Sequence, residues 1–87
     1  MTFGTTSSGT FYYFNNKHQS IPIVFIHGVG LTHEIWEPQL NFFKDYSTIS
    51  YDILGHGKTL LDKREISFDD FSDQLINLID ELKIDKI

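Results

Sequence analysis

Apolar positions follow two rhythms along this chain, and the changes between them outline its elements. "TFGT" and "TFYYFN" flank Thr6-Ser7-Ser8-Gly9, a cluster of turn formers between strand formers, which predicts a β-hairpin. The polar stretch "NNKHQSIP" follows as a loop ending at Pro22. Ile23 to Ile26 ("IVFI") is then a continuous apolar run, the pattern of strands covered on both faces in parallel sheets. It stops at His27-Gly28-Val29-Gly30, where glycines permit backbone shapes that other residues resist.

Helical spacing begins after this turn. Trp36, Leu40 and Phe43 fall at i, i+4 and i+7, one face of a helix, and Pro38 must then lie in its first turn. "YSTISYDI" predicts a further strand. "SFDDFSDQLINLIDELKI" predicts a helix with Ser67 as N-cap, Asp69 and Asp70 at the positive end of its dipole and Lys83 at the negative end. Its apolar stripe comprises Phe68, Phe71, Leu75, Leu78, Ile79 and Leu82. The order β-β-β-α-β-α predicts an α/β fold, a sheet with parallel strands and helices on its faces. Ile84-Asp85-Lys86-Ile87 resembles the lead-in to another strand, so residues 1–87 are expected to be a truncated N-terminal portion of a single domain.

Composition narrows the function classes. An apolar content of 40% with 15% aromatics describes a folded chain. Twelve Asp and Glu against seven Lys and Arg argue against nucleic acid or an anionic membrane surface as partner. The absence of cysteine excludes disulfides, thiolate zinc sites and a cysteine nucleophile within this sequence. "MTFGTTSSGT" lacks a secretory signal pattern, and no apolar run approaches the ~20 residues of a membrane helix, so a cytoplasmic location is the default expectation.

Gly57-Lys58-Thr59 invites a P-loop reading, which two features oppose. The glycine required five positions before Gly57 is Asp52, a carboxylate that would repel phosphate, and "LLDKREI" separates the motif from the next helix. In "HGVGLTHE" the third glycine of a dinucleotide fingerprint is His33, and a hairpin precedes the strand, so nucleotide binding is a distant alternative. His18, His27, His33 and His56 contain no H-x-x-x-H pair; a site pairing His27, His56 and Asp52 is conceivable, but no metal is expected. His27-Gly28-Val29-Gly30 lies where open α/β sheets place ligands, and two N–H donors aimed at one point there would stabilise an oxyanion. A tight turn with glycines for steric reasons alone explains the same residues.

"IPIVFIHGVGLTHEIWEPQLNFFKDYSTISYDILGHGKT" and the helix after it resemble the α/β-hydrolase family, in the group of esterases, enol-lactonases, haloperoxidase-like enzymes and C–C bond hydrolases. The resemblance spans residues 21 to 87 and rests on H-G-x-G after an apolar strand, a Trp a few residues on, and D-x-x-G-x-G-x-[ST] after the next strand. It implies a mostly parallel sheet opened by an antiparallel hairpin, with strand 4 between strands 2 and 3, in a partial three-layer sandwich. It also implies that Gly28, Val29 and Gly30 form the oxyanion loop, with Val29 supplying a backbone N–H. His27 would brace that loop, and Asp52, Gly55, Gly57 and Thr59 would form the supporting turn, with Asp52 accepting N–H bonds. His56 would pack beside them or reach the pocket rim. The family's nucleophile sits in G-x-S-x-G, followed by the acid and the histidine, and no serine here has that setting. The expected function is the N-terminal part of a cofactor-free serine hydrolase acting on a small-molecule ester, lactone or related carbonyl. Nucleophile, acid and base are missing from this chain, which is expected to be inactive alone. The alternative is a non-enzymatic interaction module that pairs its exposed strand with a partner.

Overall fold

A computed structural model describes residues 2–17, 20–61 and 66–87; His18 and most of "LLDKREI" lie outside them. The elements are β1 (Thr2–Thr5), β2 (Phe11–Asn15), β3 (Ile23–Ile26), a 3₁₀ turn (His33–Trp36), α1 (Glu37–Phe42), β4 (Thr48–Tyr51) and α2 (Phe68–Glu81). β1 and β2 form the hairpin, with Phe3 opposite Tyr13. Its turn closes through Thr6 N–H to Thr10 O at 2.9 Å and Gly9 N–H to Thr6 O at 2.9 Å.

β4 pairs antiparallel with β2 and parallel with β3, giving the order β1-β2-β4-β3. Ile26 stands opposite Tyr51, so the loops leaving β3 and β4 emerge side by side at one end of the sheet. This insertion of β4 is what positions the candidate site.

Alternation along β4 separates two packing faces. Ile49 and Tyr51 face α2, where they join Ile53 and Leu78 in a core completed by Phe14, Val24, Phe71 and Leu75. Full burial of a Leu or Ile side chain stabilises a fold by about 1.5–3 kcal/mol, so Ile49 and Leu78, both at 0% exposure, are principal contributors. Burial drives the Tyr51 phenol up to about 12. The opposite face meets the 3₁₀ turn and α1: the Phe25 ring lies 5.1 Å from that of Trp36 and 6.2 Å from that of Phe43. Helix, sheet and helix make the partial three-layer sandwich.

α2 starts in a reciprocal capping box. The Ser67 side chain accepts from Asp70 N–H, and the Asp70 carboxylate accepts from Ser67 N–H at 2.8 Å. It ends in a Schellman arrangement, with Lys83 N–H to Asp80 O at 3.0 Å and Ile84 N–H to Ile79 O at 2.9 Å. Lys83 occupies the left-handed residue of that cap at φ 59°, where glycine is usual. Pro38 stands in the first turn of α1, where its missing N–H costs little.

Two expectations are corrected. Phe68, the first residue of α2, is 90% exposed and leaves the apolar stripe. Gln74, three residues after Phe71 and thus on the same helical face, is buried instead. The apolar β3 is only half-buried and Ile26 is exposed, because β3 is an edge strand; the fully buried strand is β4, despite its Thr48 and Ser50. Among the described residues no helix is long and apolar enough to cross a membrane.

Candidate functional site

The loop after β3 and the turn after β4 make the site. Gly28 to Leu31 is a β-turn closed by Leu31 N–H to Gly28 O at 3.2 Å, with Gly30 at φ 87° in its third position. That sign of φ is the one a type II turn requires there. Val29, at the crest, is 84% exposed, and its N–H meets no acceptor among the described residues. Gly30 is different: its N–H is donated to His56 Nε2 at 3.0 Å.

His27 is buried beneath the loop. Its Nε2 accepts Ile53 N–H at 3.1 Å, so its proton sits on Nδ1 and is donated to Gly28 O at 2.8 Å. His27 Nε2 is 3.9 Å from Asp52 Oδ1, but its lone pair is already engaged, so the contact is not an ion pair. His56 follows the same logic, accepting from Gly30 at Nε2 and donating from Nδ1 to Leu54 O at 2.9 Å. Both rings are engaged at both nitrogens, which leaves neither a lone pair for a metal ion.

Asp52 organises the second layer of the site. It is fully buried, with Oδ1 accepting His33 N–H at 2.7 Å and the His33 ring at 2.8 Å, and Oδ2 accepting Lys58 N–H at 2.9 Å. Burial opposes its ionisation, but the N–H donors of His33 and Lys58, with the His33 ring, outweigh it and hold the carboxyl below its usual range. Gly57 passes so close that a Cβ there would strike this carboxylate, and its φ is 52°. Gly55 also has positive φ, at 75°. Thr59 accepts Phe11 N–H at 3.0 Å through its hydroxyl, so "GKT" is committed to the fold: Gly57 to close approach, Lys58 N–H to Asp52 and Thr59 to β2.

Two contributors escape a reading by spacing. His33 bonds a carboxylate 19 residues away, and only the sheet order brings them together. Gln74 accepts Leu54 N–H at 3.0 Å and donates to Asp52 O at 3.0 Å and to Thr10 Oγ1 at 3.2 Å. Its signal in the sequence was a polar residue in register with an apolar stripe. A cleft of about 690 Å³ between the hairpin and α1 is lined by His33 but not by Gly28, Val29 or Gly30.

This chain is similar to several known proteins. An (E)-2-((N-methylformamido)methylene)succinate hydrolase of Acinetobacter baylyi is 36% identical over 84 residues, covering 95% of this chain and 32% of that protein. The non-heme chloroperoxidase CPO-A1 of Kitasatospora aureofaciens is 34% identical over 82 residues, covering 92% and 30%. The structure of a hydrolase from Pseudomonas aeruginosa superposes with a TM-score of 0.79 at 21% identity, over 94% of this chain and 32% of that one, which shows a shared fold. The chain thus spans about a third of the length of these relatives. With a profile of the alpha/beta hydrolase family matching residues 23–87, on top of the strand order and the two loops described above, the chain belongs to that family.

Proposed function

We propose that this chain is the N-terminal portion of a serine hydrolase that attacks an ester, lactone or related carbonyl of a small molecule, and that it supplies one oxyanion donor, Val29 N–H. The carrying observation is the crest of the Gly28–Leu31 turn: an N–H that meets no acceptor among the described residues, beyond the end of the sheet, on a loop whose neighbouring polar groups are engaged. A preorganised donor of this kind acts on charge that develops during acyl transfer and costs no reorganisation at that moment. Gly30, whose N–H is bonded to His56, serves the loop's shape rather than the oxyanion. His27, Asp52, Gly55 and Gly57 support the loop and its companion turn.

Nucleophile, acid and base are assigned to sequence beyond this chain, together with the second oxyanion donor, the residue after the nucleophile. The chain alone is expected to be inactive, and the chemistry needs no cofactor. Because one relative is named as a hydrolase and another as a chloroperoxidase, the shared N-terminal framework leaves the reacting bond to the remainder of the protein. The apolar β3 edge favours a second reading, in which the chain pairs that strand with a partner and has no catalytic role.

Hydrolysis of short aryl esters and lactones tests the proposal. The full-length parent should turn over one of these classes and lose activity to a serine-directed inhibitor, while residues 1–87 should show none. Inhibitor-sensitive turnover by residues 1–87 alone, or a downstream sequence without a strand followed by G-x-S-x-G, would sink it.

A further inference from the structure

The hairpin and α1 flank a cleft of about 690 Å³ that the hydrolase reading leaves unused. That size lies within the roughly 300–1,000 Å³ of small-molecule pockets. Strand alternation puts Phe3, Phe11 and Tyr13 on the face of the hairpin turned toward α1. Phe3 is the hub: its ring stacks on Phe11 at 5.8 Å and meets Tyr13 edge-on at 5.2 Å and His33 at 6.4 Å. This cluster already holds one cation, since Lys58 Nζ lies 4.8 Å from the Phe11 centroid. Tyr13 is only 8% exposed and lines the cleft, yet its hydroxyl has no hydrogen-bond partner among the described residues. Burial pushes the Tyr13 phenol above its usual range, so it stays a neutral hydroxyl able to accept as well as donate.

Charge divides the cleft into two ends. Glu34 and Glu37 line it beside His33, and neither carboxylate has an ion-pair or hydrogen-bond partner among the described residues. Lys44 lines the opposite end, beyond the last turn of α1 and roughly 10 Å from Glu37 along the axis. We propose that this cleft binds a protonated primary amine carried on an aromatic or alkyl body, with the ammonium against Glu34, Glu37 and the Tyr13 hydroxyl and the body over Phe3. An ammonium offers three donors and no acceptor, which matches two free carboxylates and a hydroxyl lone pair. The Phe3 ring, 56% exposed, adds both apolar surface and attraction for a cation. Lys44 repels the ammonium and so fixes the end it occupies, while an anion of the same shape would face both carboxylates. Gly28, Val29 and Gly30 do not line this cleft, so its ligand is not the carbonyl compound attacked at the oxyanion loop.

Calorimetric titration of the full-length protein with 2-phenylethylammonium, 2-phenylethanol and phenylacetate tests this, because the three share a body and differ in charge. At low salt the ammonium should bind at least about threefold more tightly than the alcohol and at least about tenfold more tightly than the carboxylate. Salt at about 0.5 M should narrow both ratios. Glu34→Gln combined with Glu37→Gln should erase most of the preference, and both positions are exposed, so the fold is spared. Phe3→Leu should weaken the ammonium about two- to fivefold, Tyr13→Phe about two- to tenfold, and Lys44→Gln should strengthen it. In ¹⁵N NMR spectra the ammonium should shift the amides of Tyr13, His33 and Leu40 rather than those of Gly28 to Leu31. Equal binding of ammonium and alcohol, an unchanged preference in the double variant, or shifts centred on Gly28 to Leu31 would each overturn the proposal. If Tyr13→Phe fails to fold, the three-ligand comparison and the double variant decide. None of these readouts is hydrolysis, so a protein that keeps the preference but cleaves no ester or lactone fails the hydrolase reading alone.

Discussion

His33 meets Asp52 twice on one oxygen: its backbone N–H lies 2.7 Å and its ring Nδ1 2.8 Å from Oδ1. Since ionised Asp52 is an acceptor only, the His33 proton on Nδ1 completes the contact. The pair joins the start of the 3₁₀ turn to the end of β4, while Oδ2 holds Lys58 N–H. One buried carboxylate therefore sets the distance between the segments that carry the candidate site.

Replacing Asp52 with Asn should cost about 1–3 kcal/mol in urea or thermal unfolding, since an amide NH₂ must face one of these N–H donors in a buried site. The pH dependence has a definite sign. The folded carboxyl lies below its unfolded value, so its contribution is full above the unfolded pKa of about 4 and is lost as pH falls through the lower folded value. The variant should lack that acid-side loss. Equal acid sensitivity in the two proteins would contradict this assignment.

Gly57→Ala and Gly30→Ala should differ although both positions have positive φ. Alanine in the left-handed region costs about 1–2 kcal/mol, which is all Gly30→Ala should show, because its Cβ would meet open space. At Gly57 the Cβ is driven into the Asp52 carboxylate, so the loss should be clearly greater. Comparable melting temperatures for the two variants would argue against the close approach.

Lys83→Gly should raise stability by about 0.5–1 kcal/mol, because glycine adopts the φ of 59° in this cap without Cβ strain. Thermal denaturation of the purified variant reads the gain. Lowered stability would mean that the lysine side chain contributes more than its backbone strain costs.

Phe68→Ser should change stability by no more than about 0.5 kcal/mol, whereas Leu78→Ala should cost about 2–5 kcal/mol. Both residues belong to the apolar stripe inferred from periodicity, so chemical denaturation of the pair separates a sequence pattern from real burial.

Ile26→Lys should reduce concentration-dependent association of the isolated chain, measured by light scattering or sedimentation, with little loss of stability because Ile26 is 48% exposed. The β3 edge carries four apolar residues and no charge, and a lysine blunts such an edge. Unchanged association would point to another surface.

The hairpin, the two helices and the capping of α2 were legible from local pattern, because turn formers, helical spacing and an N-cap act between neighbours in the chain. Resemblance to a family added the strand order and the two loops. Local pattern failed where a residue's environment comes from elsewhere. Phe68 satisfies the stripe but points outward, Gln74 interrupts it yet is buried against Asp52 and Thr10, and the polar Thr48 and Ser50 sit in the strand with no exposure.

By itself the sequence determined which segments become strands and helices, and that glycines punctuate both turns of the site. The tertiary structure alone decided that Asp52 meets His33, that His56 holds Gly30, and that Val29 N–H meets no acceptor among the described residues. The physical reason is the insertion of β4 between β2 and β3. That step brings together residues 19 and 26 positions apart, and no periodicity along one segment encodes a hydrogen bond to another.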